Sequence, residues 1–196
     1  MKPFSQACAN NSHAILTVLQ RVLADSCKVL EIGSGTGQHA VHFAGHLSHL
    51  TWQTSDLPDN HAGINAWLAD YSGANLMAPF ALDVTASPWP ALEIDAVFSA
   101  NTAHIMSWSA VQAMFDNFKN ILPTGAVLAL YGPFNYNGDY TSDSNRNFDV
   151  WLKTQAPHRA IRDFEAVNKL AAQAGLALQE DNEMPANNRL LVWRMT

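Results

Sequence analysis

The residues most able to do chemistry are concentrated in Val29-Leu30-Glu31-Ile32-Gly33-Ser34-Gly35-Thr36-Gly37, an apolar run leading into three glycines at alternate positions. A residue without Cβ takes positive φ freely and lets a ligand lie against the main chain, so this run reads as a buried strand feeding a cofactor loop that opens a helix. The dinucleotide fingerprint places its third glycine three residues after the second; here the interval is two. Glu31 stands two positions before the first glycine and suits a cationic ligand better than a pyrophosphate.

Further groups follow at the ends of later apolar runs. Asp56, with Leu57 behind it, lies 19 residues past Gly37, close to the roughly 20-residue offset at which a carboxylate meets ribose hydroxyls in the dinucleotide fold. The plain alternative is an aspartate opening a loop before Leu57-Pro58. Asp83-Val84 ends another run and could equally cap a helix or turn. Ser99-Ala100-Asn101-Thr102-Ala103-His104 and Tyr131-Gly132-Pro133-Phe134 end two more.

These residues need elements to position them. Apolar runs recur at 28–32, 50–53, 78–82, 94–100 and 126–131, separated by helix-like stretches near 37–47, 60–70 and 107–121. Such alternation predicts a parallel sheet covered by helices on both faces, with ligands at the carboxyl ends of the strands. An amphipathic segment from about Asn11 to Ala24 precedes the first strand, within an N-terminal helical segment spanning 1–26. A polar stretch over 135–147 reads as a functional loop, residues 135–150 form the candidate substrate loop, and Phe148 to Thr154 looks helical again. A helix over 162–174 ends at Gly175, and the runs at 176–181 and 189–195 are joined so briefly that they must be antiparallel neighbours.

Composition narrows the class. With 196 residues, 48% hydrophobic and 14% charged, the chain reads as a single folded domain over 1–196. A net charge of -6 argues against a large phosphate-binding surface, so no nucleic-acid partner is expected. Cys8 and Cys27 offer no disulfide or zinc signature, and no run has the length of a signal peptide core or a membrane span. A cytoplasmic location without membrane association is the expectation.

The acidic-x-Gly-x-Gly-x-Gly pattern at 31–37 resembles the first motif of class I methyltransferases, which bind S-adenosylmethionine (AdoMet). That resemblance implies a Rossmann-like α/β fold with a seven-stranded, mostly parallel sheet and an antiparallel last strand. It further implies that Asp83 takes the adenine amino group with the Val84 main chain nearby, and that Glu31, Gly33, Ser34, Gly35, Thr36, Gly37, Asp56, Leu57 and Asn101 complete the AdoMet site. The segments 33–40, His104-Ile105 before Trp108, Tyr131 to Phe134, Ser142 to Asp149 and Met184 to Asn188 resemble the family of methyltransferase-like protein 26. The substrate of that family is not established. Asn10 stands where arginine is expected in relatives.

Methyl transfer from a sulfonium needs in-line approach, and a base only if the nucleophile starts protonated. His104 is the candidate base, with Asn101 and Tyr131 beside it; a histidine that merely orients its loop is the alternative. Trp108, Phe134, Asn145, Arg146 and Asp149 are candidate contacts for a small-molecule acceptor, against core packing or surface solvation. His39, His42, His46 and His49 share one helical stripe, which reads as the wetter flank of a helix rather than a metal site. Two functions remain at this stage: an AdoMet-dependent methyltransferase acting on a small acceptor, and a protein that binds AdoMet or its product without transferring methyl. An NAD-dependent oxidoreductase loses on glycine spacing.

Overall fold

The continuous apolar runs form the central strands. β1 (Lys28–Ile32), β4 (Ala96–Ala100) and β5 (Val127–Gly132) are buried along nearly their whole length, as strands covered on both faces must be. β2 (Thr51–Asp56) and β3 (Leu76–Ala81) extend the sheet on one side, and β8 (Leu176–Met184) and β9 (Asn188–Met195) on the other. In this computed structural model, which describes residues 2–196, the seven strands run in the order β3-β2-β1-β4-β5-β9-β8. The first five are parallel, and β9 is antiparallel to both β5 and β8. This is the seven-stranded arrangement expected from the sequence. Among the described residues, no helix is long and apolar enough to cross a membrane.

Two apolar layers flank the sheet. α1 (Gln6–Val22) and α2 (Gln38–His46) cover one face, where Ile15, Leu19, Phe43, Trp52, Phe98 and Tyr131 meet. α4 (Trp108–Ile121) and α6 (Phe164–Gln173) cover the other with Val111, Phe115, Phe118, Val167 and Ala171 against Leu128, Leu130 and Trp193. α3 (Pro58–Leu68) packs on β3. Strand order reverses between β1 and β4, which leaves a crevice at their carboxyl ends.

Two segments depart from the sequence reading. α1 begins at Gln6, because the Ser5 hydroxyl accepts from the Cys8 N–H and caps the helix ahead of the periodic apolar stripe. The polar stretch after Gly132 is only partly loop: β6 (Phe134–Asn135) pairs with β7 (Arg162–Asp163), a bridge joins Tyr136 and Asp139, and α5 runs over Asp143–Gln155. The cap of α5 is Ser142, whose hydroxyl accepts from the Asn145 N–H at 3.1 Å. The second half of the candidate substrate loop, 143–150, is therefore part of a capped helix.

Candidate functional site

A cleft of about 960 Å³ opens at the point of strand reversal. The glycine loop, the ends of β2, β3, β4 and β5, the first turns of α1, the outer face of α5 and the turn between β8 and β9 all line it. Its size is that of a site for a nucleoside-sized ligand together with a second small molecule.

The glycine loop is held mainly by protein contacts. Gly33 N and Ser34 N both donate to Ser55 O at 3.0 Å, tying the loop to β2. Gly33 has φ of 72°, and a Cβ there would lie 2.6 Å from Thr102 Cγ2, so this glycine is required by packing against the loop after β4. Gly37 faces the α3 backbone at Ile64 and does not line the cleft. Gly35 alone of the three borders the cleft with no neighbouring group nearer than 4.0 Å to its missing Cβ. Of the three glycines, Gly33 and Gly35 line the cleft, the first also packed tightly on Thr102 and the second with open space beside it, while Gly37 serves packing against α3.

Glu31 also lies away from the cleft. It is 2% exposed, and its Oε2 accepts from Ser34 Oγ at 2.8 Å and Trp52 Nε1 at 3.2 Å. Burial pushes its carboxyl up to about 7, with Ser34 and Trp52 pulling the other way. Glu31 thus braces the loop from beneath. Asp56 does line the cleft, and its carboxylate accepts from Gly35 N, Leu57 N and Asn60 Nδ2, each at 2.7 Å. Three of about four acceptor positions are filled, leaving one on Oδ2. Leu57 is exposed at the rim. Asp83 Oδ1 accepts from the Thr85 N–H and hydroxyl at 2.9 and 2.7 Å, an arrangement that holds its pKa below the usual range and leaves Oδ2 toward solvent and cleft. Val84 is buried beside it and lines the same wall.

Past β4 the chain turns at Asn101, whose φ of 59° is left-handed. Its N–H donates to Tyr131 O at 2.9 Å, joining the ends of β4 and β5. His104 is 5% exposed, and among the described residues neither ring nitrogen has a protein hydrogen-bond partner. Burial, with Arg162 and Arg159 nearby, pulls its pKa down to about 4. The ring is therefore neutral at pH 7. Arg162, unremarked in the sequence, fixes this loop: Nε donates to Ala103 O at 3.0 Å, and Nη2 to Met106 O at 2.5 Å and His158 O at 2.9 Å. Tyr131 is 2% exposed at the floor of the cleft, and burial raises its pKa, keeping it a neutral phenol.

The acceptor side departs most from expectation. Asn145 lines the cleft, with Nδ2 donating to Thr141 Oγ1 and Asn187 O. Phe134 is buried in the core, and Trp108 packs against the same core under the Arg162 guanidinium. Arg146 is exposed over Tyr140 and pairs with Asp139 and Asp143. Asp149 is buried and already accepts from Tyr140 Oη, Lys153 Nζ and Ile161 N. None of these four lines the cleft. Phe148, Trp151, Ile105 and Met106 form its apolar wall instead, with Pro185 and Ala186 opposite.

The sequence reading also passed over the first turns of α1, where Ser5, Cys8, Asn10 and Asn11 line the cleft. One signal was present: Asn11 falls on the stripe of Ile15 and Leu19, a polar residue at a core-facing position. The histidine stripe is divided among protein contacts. His39 binds Asn11, His46 Nδ1 meets His42 O at 2.8 Å, and His49 Nε2 meets Leu23 O at 3.1 Å.

Fold and strand order are those of Rossmann-like methyltransferases. An O-methyltransferase family protein from Burkholderia thailandensis matches with TM-score 0.82 at 16% identity, over 94% of this chain and 56% of that one. Human N-acetylserotonin methyltransferase, solved in complex with SAM, matches with TM-score 0.81 at 14% identity, over 97% and 53%. An O-methyltransferase family 2 protein from Planctomyces limnophilus, in complex with apigenin, matches with TM-score 0.80 at 19% identity, over 97% and 58%. The chain spans little more than half the length of these proteins, and at such identities the likeness is one of fold. The chain itself belongs to the family described as a protein of unknown function (DUF938), whose model matches residues 2–195.

Proposed function

We propose that this protein is an AdoMet-dependent methyltransferase acting on a small, uncharged acceptor. The observation that carries the reading is the division of one cleft into two halves on either side of Asn101. Toward β2 and β3 the charged side chains lining it, among the described residues, are Asp56 and Asp83, each with an oxygen free for a nucleoside hydroxyl or amino group. Toward β5 and α5 it is apolar and carries His104, Tyr131 and Asn145 as polar points. The residues present fit AdoMet: the space beside Gly35 admits a ligand against main chain, and among the described residues no Lys or Arg lines the cleft to repel a sulfonium. The resemblance to the family of methyltransferase-like protein 26 supports the same reading.

AdoMet, when bound, supplies an electrophilic methyl group on its sulfonium. This chain's residues hold, orient and desolvate. Asp56 sets the loop conformation through Gly35 N while keeping an acceptor for ribose. Phe148, Trp151 and Ile105 exclude water from the acceptor half. His104, neutral with a pKa near 4, would accept the hydrogen bond of the acceptor's hydroxyl and aim a lone pair toward the donor carbon; as the new bond to the methyl group forms and the bond to sulfur breaks, the hydroxyl proton would pass to this ring and on to solvent.

Titration calorimetry tests the reading. Wild type is expected to bind AdoMet and S-adenosylhomocysteine (AdoHcy), and Asp83→Asn, altered at an exposed side chain, to lose about tenfold in affinity through one weakened hydrogen bond. Asp56→Ala should lose more. A wild-type protein that binds neither ligand overturns the proposal, and an acceptor screen with labelled AdoMet follows if it binds.

A further inference from the structure

The methionyl end of AdoMet carries a carboxylate, yet among the described residues no Lys or Arg lines the cleft. A neutral donor must receive it. With the nucleoside half over β2 and β3, strand order places the methionyl end over β1 and β4, against the first turns of α1. There Asn11, 6% exposed, borders the cleft beside the apolar layer of Ile15, Leu19 and Phe43.

Its orientation is set from behind. His39, on the first turn of α2, is 5% exposed; its Nε2 lies 2.7 Å from Asn11 Oδ1 and its Nδ1 3.8 Å from Cys8 Sγ. The Cys8 thiol keeps its proton, since burial raises its pKa, and donates to Nδ1; Nε2–H then donates to Oδ1. With Oδ1 so engaged, Nδ2 is the donor left to the amide; it lies near the Tyr131 hydroxyl, to which one of its two hydrogens is directed, on a residue that lines the cleft. The first turn of α1 is held in place by reciprocal bonds between Ser5 main chain and the Gln38 side chain.

We propose that Asn11 Nδ2, oriented by His39 and Cys8, donates a hydrogen bond to the carboxylate of AdoMet. This rests on the function proposed above and assigns to α1 a part of the cofactor site. Asn11 is the binding residue, and His39 is a positioning residue that acts through it.

Calorimetry with two ligands tests it: AdoHcy, which carries the carboxylate, and 5′-methylthioadenosine, which ends at the thioether. Wild type should bind both. Asn11→Ala should weaken AdoHcy about tenfold, the loss expected for one hydrogen bond to a charged group, while 5′-methylthioadenosine stays within about twofold. Asn11→Asp should weaken AdoHcy further by opposing two carboxylates, again sparing 5′-methylthioadenosine. His39→Phe, which keeps a ring against Phe43 but frees the amide to turn, should cost AdoHcy about threefold, consistent with a lost orientation rather than a lost donor. A variant that loses both ligands equally shows a structural role and overturns the proposal, as does full AdoHcy affinity in Asn11→Ala. If wild type binds neither ligand, the cofactor reading fails first and this inference with it; if only the variants behave contrary to expectation, the cofactor reading stands and this one falls.

Discussion

Three buried titratable side chains at or beneath the cleft have pKa values shifted toward their neutral forms, and they pull stability in opposite directions with pH. Glu31 ionises near 4.5 when unfolded and near 7 when folded. Between these values the native state holds a proton that the unfolded chain has released, so stability falls as pH rises, by about 3 kcal/mol over the window. His39 and His104, near 4 in the fold against 6.5 unfolded, act the other way. Their contribution is present above pH 6.5 and is lost as pH falls toward 4. Urea denaturation of wild type and Glu31→Gln, which keeps an acceptor for Ser34 and Trp52, isolates the first effect. From pH 4.5 to 8 wild type should lose about 3 kcal/mol relative to the variant; a constant difference would show that Glu31 ionises normally. Imidazole NMR signals of His39 and His104 should titrate below pH 5, which a value near 6.5 for either ring would contradict.

The elements that build the site act in pairs, and the loop after β1 depends on the loop after β4. Gly33→Ala places a methyl group against Thr102 Cγ2 at a φ of 72°. The left-handed backbone costs about 1–2 kcal/mol for alanine, and the overlap adds a similar amount. Thr102→Ser removes that methyl while keeping the hydroxyl bonded to Ser99. Gly33→Ala should therefore cost about 3 kcal/mol alone and about half that, relative to Thr102→Ser, in the double variant. Additive losses by urea denaturation would show that the two loops do not touch in solution. The same coupling explains what was legible in the sequence. Strand runs and alternate glycines are local patterns, so β1 to β5, β8, β9 and the loop could be read directly. That Gly33 answers to Thr102, and Gly37 to Ile64, is a contact between distant segments and leaves no local trace. The start of α5 was hidden for a related reason: 148–154 reads as helical, but the buried positions ahead of it include Asn145, so the first turn lacks the apolar period that marks a helix. Asp149 looked like a substrate contact because Tyr140 and Ile161 are brought to it only by the fold, with Lys153 joining them one helical turn on.

At the scale of the molecule, α1 belongs to the core and to the cleft at once. Ile15, Leu16, Val18 and Leu19 from this helix, with Leu23 just after it, are buried against β5 and α2, while Cys8 and Asn11 a turn or two earlier border the ligand space. Trp67 Nε1 donates to Pro3 O at 2.5 Å, so the chain ahead of α1 is also fastened, to α3. Each buried aliphatic side chain contributes about 1.5–3 kcal/mol, and five of them rival the total of about 5–15 kcal/mol that keeps a domain folded. A protein lacking residues 2–24 should therefore show no cooperative thermal transition. Leu19→Ala, at 0% exposure, is the milder test. It should cost about 2–5 kcal/mol by urea denaturation and lower the melting temperature by several degrees. Because α1 forms part of the proposed AdoHcy site, ligand at about 100 times its Kd should return roughly 2.7 kcal/mol to the variant, as it does to wild type at equal saturation. Cooperative melting and AdoHcy binding in the shortened protein would instead make α1 an appendage, and would move the methionyl end of the site elsewhere in the cleft.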